Sequence, residues 1–94
     1  MKLDILMICK NNEFYFTHIF PKIYINLIGF NPTFYIYENN STDKTVHLLS
    51  ELQNNYSNIR VFNESTKTYL NRYLNICCAR NRLMYFYNKH NKTS

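Results

Sequence analysis

The sequence predicts a small α/β unit in the order β-α-β-α-β-α, built on a three-stranded parallel sheet. Three observations predict it. Short apolar, β-prone runs occupy residues 3–9, 33–37 and 58–62. Longer stretches with apolar residues at helical spacing follow each of them, at 13–28, 45–54 and 69–88. Polar segments rich in Asn, Ser or Asp join strand to helix, and these residue types hydrogen-bond nearby backbone and tolerate tight turns. Strands alternating with helices in this way imply parallel pairing through right-handed crossovers.

Each element has its own local reason. Residues 3–9 (Leu-Asp-Ile-Leu-Met-Ile-Cys) are almost continuously apolar, as in a strand covered on both faces. The turn Lys10-Asn11-Asn12-Glu13 follows, and Asn11 or Asn12 can cap the next helix. Phe16, Ile19, Phe20, Ile23 and Leu27 give that helix its apolar spacing. Pro21 lies inside the pattern, so the helix either starts near it or bends there. Gly29 is the expected helix stop, and Asn31-Pro32 turns the chain into strand two.

Residues 33–37 form strand two, which is expected to end at Glu38. In the polar turn beyond it, Ser41, Thr42 or Asp43 can cap a helix whose apolar stripe is Val46, Leu48, Leu49 and Leu52. A third strand at 58–62 and a polar loop at 63–68 lead to the last helix. Leu70, Tyr73, Leu74, Cys77, Met84 and Tyr87 are its expected apolar face. Arg80 and Asn81 interrupt that face, and an Arg there must reach water or meet an anion. Residues 89–94 read as a frayed polar tail.

Composition narrows the function. Ninety-four residues make one small domain. A single Gly excludes glycine-rich phosphate loops of the dinucleotide or P-loop kind. The net charge of +5 favours anionic ligands, but the cations are dispersed apart from a concentration over 67–82. Three cysteines without metal-ligand spacing fit a reducing, cytoplasmic setting. No stretch is apolar and long enough for a membrane span, and the N-terminus does not read as a signal peptide. His18 and His47 lack catalytic company in the sequence and read as structural and solvated, respectively.

Glu38 is the residue that points to a ligand. Ligands of open α/β sheets sit beyond the carboxyl ends of the strands. A carboxylate at that edge can accept hydrogen bonds from ribose hydroxyls or a base N–H. The alternative is a helix cap beside a solvated Glu.

The turn Glu38-Asn39-Asn40-Ser41-Thr42-Asp43 resembles the acidic DDGSTD-type motif of family 2-like, GT-A-type glycosyltransferases. It is similar also to the turn of giant-virus and cap-associated mannosyltransferase-like proteins. Cys78-Ala79-Arg80-Asn81 resembles the "ARN" segment of the same family, and the order and spacing of the two agree. The resemblance spans residues 3–87 and implies a partial Rossmann-like unit that recognises a sugar-nucleotide donor. It implies roles in nucleotide binding for Lys10, Asn11, Glu38, Asn39, Asp43, Arg80 and Asn81. The family commonly carries two acidic residues at the strand end; here the second is Asn39.

In that family the next strand would end in Asp-x-Asp and hold Mn²⁺ or Mg²⁺ against the diphosphate. The sequence contains no Asp-x-Asp, so no cofactor is expected within this chain and no catalysis from it alone. The expected domain is therefore incomplete, with an open sheet edge at strand one that invites self-association or a second polypeptide. Two other classes remain. One is a small basic nucleic-acid binder, using the cations and aromatics Tyr69, Arg72, Tyr73, Arg80, Arg82, Tyr85 and Tyr87. Helical spacing scatters these residues, which argues against it. The other is a non-catalytic interaction protein that keeps the fold.

Overall fold

The computed structural model describes residues 3–66 and 72–91. Its regular elements are β1 (Leu3–Cys9), α1 (Phe20–Leu27), β2 (Pro32–Asn39), α2 (Thr45–Asn55), β3 (Ile59–Glu64) and α3 (Arg72–His90). A π turn (Tyr15–Ile19) precedes α1 and a 3-10 turn (Ile28–Phe30) follows it. The sheet is parallel throughout in the order β1-β2-β3. Register runs from Leu3 opposite Pro32 to Cys9 opposite Glu38, and from Phe34 opposite Ile59 to Asn39 opposite Glu64. This is the predicted α/β unit, compatible with a partial Rossmann-like fold.

The strand period of two sorts β2 between two layers. Phe34 and Ile36 face one side, where they pack with Phe16, Phe20, Leu49 and Ile59. Tyr35 and Tyr37 face the other, against Leu83, Ala79, Phe86 and Tyr87 of α3. The tyrosines pack their rings inside and satisfy their hydroxyls at the margins. Tyr37 donates to Glu64 (2.8 Å), Tyr35 to Asn91 (3.2 Å), and Tyr87 to Asp4 (2.8 Å). Central β2 is buried on both faces, whereas β1, at the edge, is only half-buried.

Several local expectations are corrected. The first helix is not one piece. Pro21 has no N–H and its ring crowds the preceding turn, and the chain widens into the π turn just ahead of it. Pro21 itself sits in the first turn of α1, where its missing donor costs least. Gly29 does not end the helix. The helix ends at Leu27, and the 3-10 turn that contains Gly29 is closed by Asn31 in the left-handed conformation (φ 53°), with its N–H bonded to Ile28 O at 3.3 Å. Asn tolerates that conformation, and Gly29 does not adopt it.

β2 and β3 both run further than their apolar runs. Glu38 is inside β2, not at its end, and Asn63 and Glu64 prolong β3 beside Glu38 and Asn39. Polar side chains extend these strands because each finds a partner at the edge. The sheet-facing side of α3 is Ile76, Ala79, Leu83, Phe86 and Tyr87. Cys77 and Met84, expected there, are exposed, as is Leu74. Leu70 lies outside the described residues, and so does the expected start of the helix at 69–71. Lys89 and His90, expected to fray, continue α3, and the Asn91 side chain donates to Tyr87 O at 2.9 Å.

Candidate functional site

All three strands end at one edge, and two polar loops meet there. Asn11 and Asn40 each take the left-handed conformation (φ 54° and 60°), which turns the chain sharply off β1 and β2. The loops are hydrogen-bonded to each other through alternating backbone and side chain. Asn11 N–H donates to Ser41 Oγ (3.0 Å), and Asn12 N–H to Thr45 Oγ1 (2.8 Å). In return Asn11 Oδ1 accepts from Thr42 N–H (2.7 Å) and Asp43 N–H (3.3 Å). Glu13 and Asp43 exchange in the same way. Glu13 N–H reaches Asp43 Oδ2 (3.3 Å), and Lys44 N–H reaches Glu13 Oε1 (3.2 Å).

Glu38 is the buried centre of the edge, only 3% exposed. Its Oε2 accepts from Ser41 N–H (2.7 Å) and its Oε1 from Asn63 Nδ2 (2.9 Å). A buried carboxylate is tolerated when its oxygens are hydrogen-bonded, and charge-assisted bonds of this length are strong. Glu38 therefore closes the turn after β2 and ties it to β3, a task that its sequence position did not suggest. Asn39 and Asn40 tie down the stretch after β3. Asn39 Nδ2 donates to Thr66 Oγ1 (2.8 Å), and Asn40 Nδ2 to Thr66 O (2.9 Å). None of the three capping candidates is the N-cap of α2, which is Lys44 with no capping side chain; Asp43, one residue earlier, still supplies an oxygen, its Oδ1 accepting from Thr45 N–H at 2.9 Å. That set of bonds, led by the Thr45 side chain, holds the Asp43 carboxyl below its ordinary range.

A cleft of about 290 Å³ opens beside these loops. Ile8, Cys9 and Ala79 form its apolar part, and Lys10, Asn12 and Asn75 its polar part. Burial, reinforced by the carboxylates of Glu38 and Asp43, pushes the Cys9 thiol up to about 12. Cys9 is thus a neutral wall, not a thiolate nucleophile.

Lys10, Asn11, Glu38, Asn39 and Asp43 are brought together at this edge. Arg80 stands apart, further along α3, in a second groove with Leu6, Ile8 and Met84. Asn81 is exposed on α3 and lines neither opening. Sequence reasoning missed Asn63, Thr66 and Asn75. The pairing of Asn63 with Glu38 depends on strand register, which periodicity does not reveal.

The carboxylates here do not fit a divalent metal. Both Asp43 oxygens accept backbone N–H groups, and Glu38 is buried with both oxygens engaged. Among the described residues no group of three or more His, Cys, Asp or Glu could hold one. Nor is any helix among them long and apolar enough to cross a membrane. The cation–aromatic series considered for nucleic acid is divided by the fold. Arg82 forms a two-point pair with Glu64 (2.9 and 2.6 Å), and Tyr87 is bonded to Asp4. Tyr69 and the side chains of residues 72 and 73 lie outside what is described. Comparison with protein-family models returned no match, and comparison with curated proteins returned none.

Proposed function

We propose that this chain is the nucleotide-recognising part of a glycosyltransferase-like domain, holding a sugar nucleotide at the carboxyl edge of its sheet without transferring the sugar by itself. The observation that supports this most is positional. The two loops carrying the family-like residues are locked to each other at the edge where parallel α/β sheets bind ligands, next to the cleft floored by Ile8 and Cys9. Lys10 supplies the positive charge for a diphosphate; Asn75 and the Asn12 side chain, whose Oδ1 already accepts Lys10 N–H at 2.9 Å, are the amides beside the place for ribose or base. Glu38 and Asn11 act from behind, by fixing the turn. Asp43 does the same for the start of α2. Arg80 and Asn81 do not line this cleft and take no part in this reading. A cytoplasmic setting belongs to this reading and rests on free Cys9, Cys77 and Cys78.

The test is a thermal-shift titration with UDP-, GDP- and ADP-sugars, with and without Mn²⁺. A ligand that binds only the folded chain raises its melting temperature by mass action. Stabilisation by one nucleotide, reduced in Lys10→Ala, is the expected result. Absence of any shift from a chain shown to be folded would leave a non-catalytic interaction role.

A further inference from the structure

The geometry points to a homodimer formed by antiparallel pairing of β1 with β1 of a second copy, with Met7 opposite Met7 on the two-fold axis. It draws on Lys10, which the nucleotide reading also uses, and the cross-link at Met7 tests it apart from that reading.

β1 is an edge strand whose outer side meets no other strand among the described residues. Natural edges are blunted by Pro, bulges or inward-pointing charge. β1 has seven residues, contains no Pro, and carries one charge, Asp4, near its start. Open grooves flank it on both faces. Leu6, Ile8, Ile76 and Met84 line one, and Met7, Cys9, Tyr15 and Phe16 line the other.

The strand is self-complementary in one antiparallel register. With Met7 on the axis, Leu6 faces Ile8 and Ile5 faces Cys9 of the second copy. Asp4 then faces Lys10, twice per dimer. Parity agrees with the contacts seen. Ile5, Met7 and Cys9 pack on the α1 and α2 side, and Leu6 and Ile8 on the α3 side. Asp4 bonds to Tyr87 of α3, and Lys10, one residue past β1 and of the same parity as Asp4, lines a cleft with Asn75 and Ile76 of α3. Both charges therefore lie on one face. Asp4 Oδ1 is also the buried side-chain oxygen that lacks a hydrogen-bond partner among the described residues. Lys10 of the second copy would supply that partner. Opposite charges facing across an antiparallel pair stabilise it, and a C2 axis requires the same patch on both copies.

Sedimentation equilibrium of the 94-residue chain tests the state, and cross-linking tests the register. A dimer is expected. Lys10→Asp is expected to raise its dissociation constant about tenfold, from losing two charge pairs and gaining two repulsions, and adding Asp4→Lys to restore it. Arg80 lies in the groove beside Leu6 and Ile8 and would meet its own copy near the axis, so Arg80→Met should tighten the dimer. Should the charge variants misfold, a chain with Cys9→Ala, Cys77→Ser and Cys78→Ser reports the register. In it Met7→Cys is expected to form an intermolecular disulfide on oxidation, because facing Cα atoms lie about 4.5–5.5 Å apart. A monomer at all concentrations would overturn the proposal. So would a dimer indifferent to Lys10→Asp, or one that cross-links through Leu6→Cys and not Met7→Cys.

Discussion

Replacing Glu38 with Ala should cost the chain much of its stability before any ligand is considered. Glu38 is 3% exposed and accepts the Ser41 N–H at 2.7 Å and the Asn63 amide at 2.9 Å. Hydrogen bonds to a charged group contribute roughly 1.5–3 kcal/mol each, and removing the acceptor strands both donors, so the loss is about 3–6 kcal/mol. A chain of this size has a total stability of roughly 5–14 kcal/mol. The melting temperature should therefore fall by about 12 °C or more. Glu38→Gln behaves differently. Its carbonyl oxygen can keep the Ser41 N–H, and the Asn63 amide can rotate to accept from the new NH₂. The cost should be about 1 kcal/mol, the value of exchanging charged for neutral bonds. Urea unfolding followed by circular dichroism measures both. An Ala variant that unfolds at the wild-type midpoint would refute the bonding scheme. So would a Gln variant as unstable as Ala. Ligand binding at this edge is accordingly better probed with Glu38→Gln, which keeps the fold.

Other expectations can be checked in the same way. Asn31→Ala should cost about 1–2 kcal/mol because Ala is strained at φ 53°, whereas Asn31→Gly should lie close to wild type; chemical denaturation separates them. Leu49→Ala, at a fully buried site between α2 and the sheet, should cost about 2–5 kcal/mol in the same assay. Hydrogen bonds from Arg82, and with them Tyr37, hold the Glu64 carboxyl below its ordinary range. Its stabilising share is then complete above the unfolded carboxyl value and disappears as pH falls through the lower folded value. Glu64→Gln should flatten that acid limb in denaturation midpoints measured against pH. Iodoacetamide at mildly alkaline pH should label exposed Cys77 and Cys78 in the native chain and reach Cys9 only on unfolding, as intact mass would show.

Most of the fold was legible because its signals are local. The continuous apolar run of β1 gave Leu3–Cys9 outright, and the stripe through Val46, Leu48, Leu49 and Leu52 gave α2 to within a residue, although Val46 is exposed. What failed was decided by partners distant in sequence. Nothing near Glu38 shows that Asn63 will reach it, so strand two was expected to stop too soon. The apolar face of α3 was misassigned because Cys77 and Met84 are as apolar as Ile76 and Leu83. The helix's rotation over β1 and β2 sets which of them is covered. At the candidate site the residue types were readable and their tasks were not. Asn11, Glu38 and Asp43 gather at one edge, but they spend their polar atoms on the turns there, on β3 and on the start of α2. Lys10 and Asn12, with Asn75 from α3, face the cleft.

The most direct measurement is amide chemical-shift mapping of the isotope-labelled chain during titration with UDP-, GDP- and ADP-sugars. The account predicts saturable shifts for one nucleotide, concentrated at residues 8–13, 39–45 and 75–80. Shifts absent with every donor, or confined to the opposite edge of the sheet around residues 31–33 and 56–59, would contradict it.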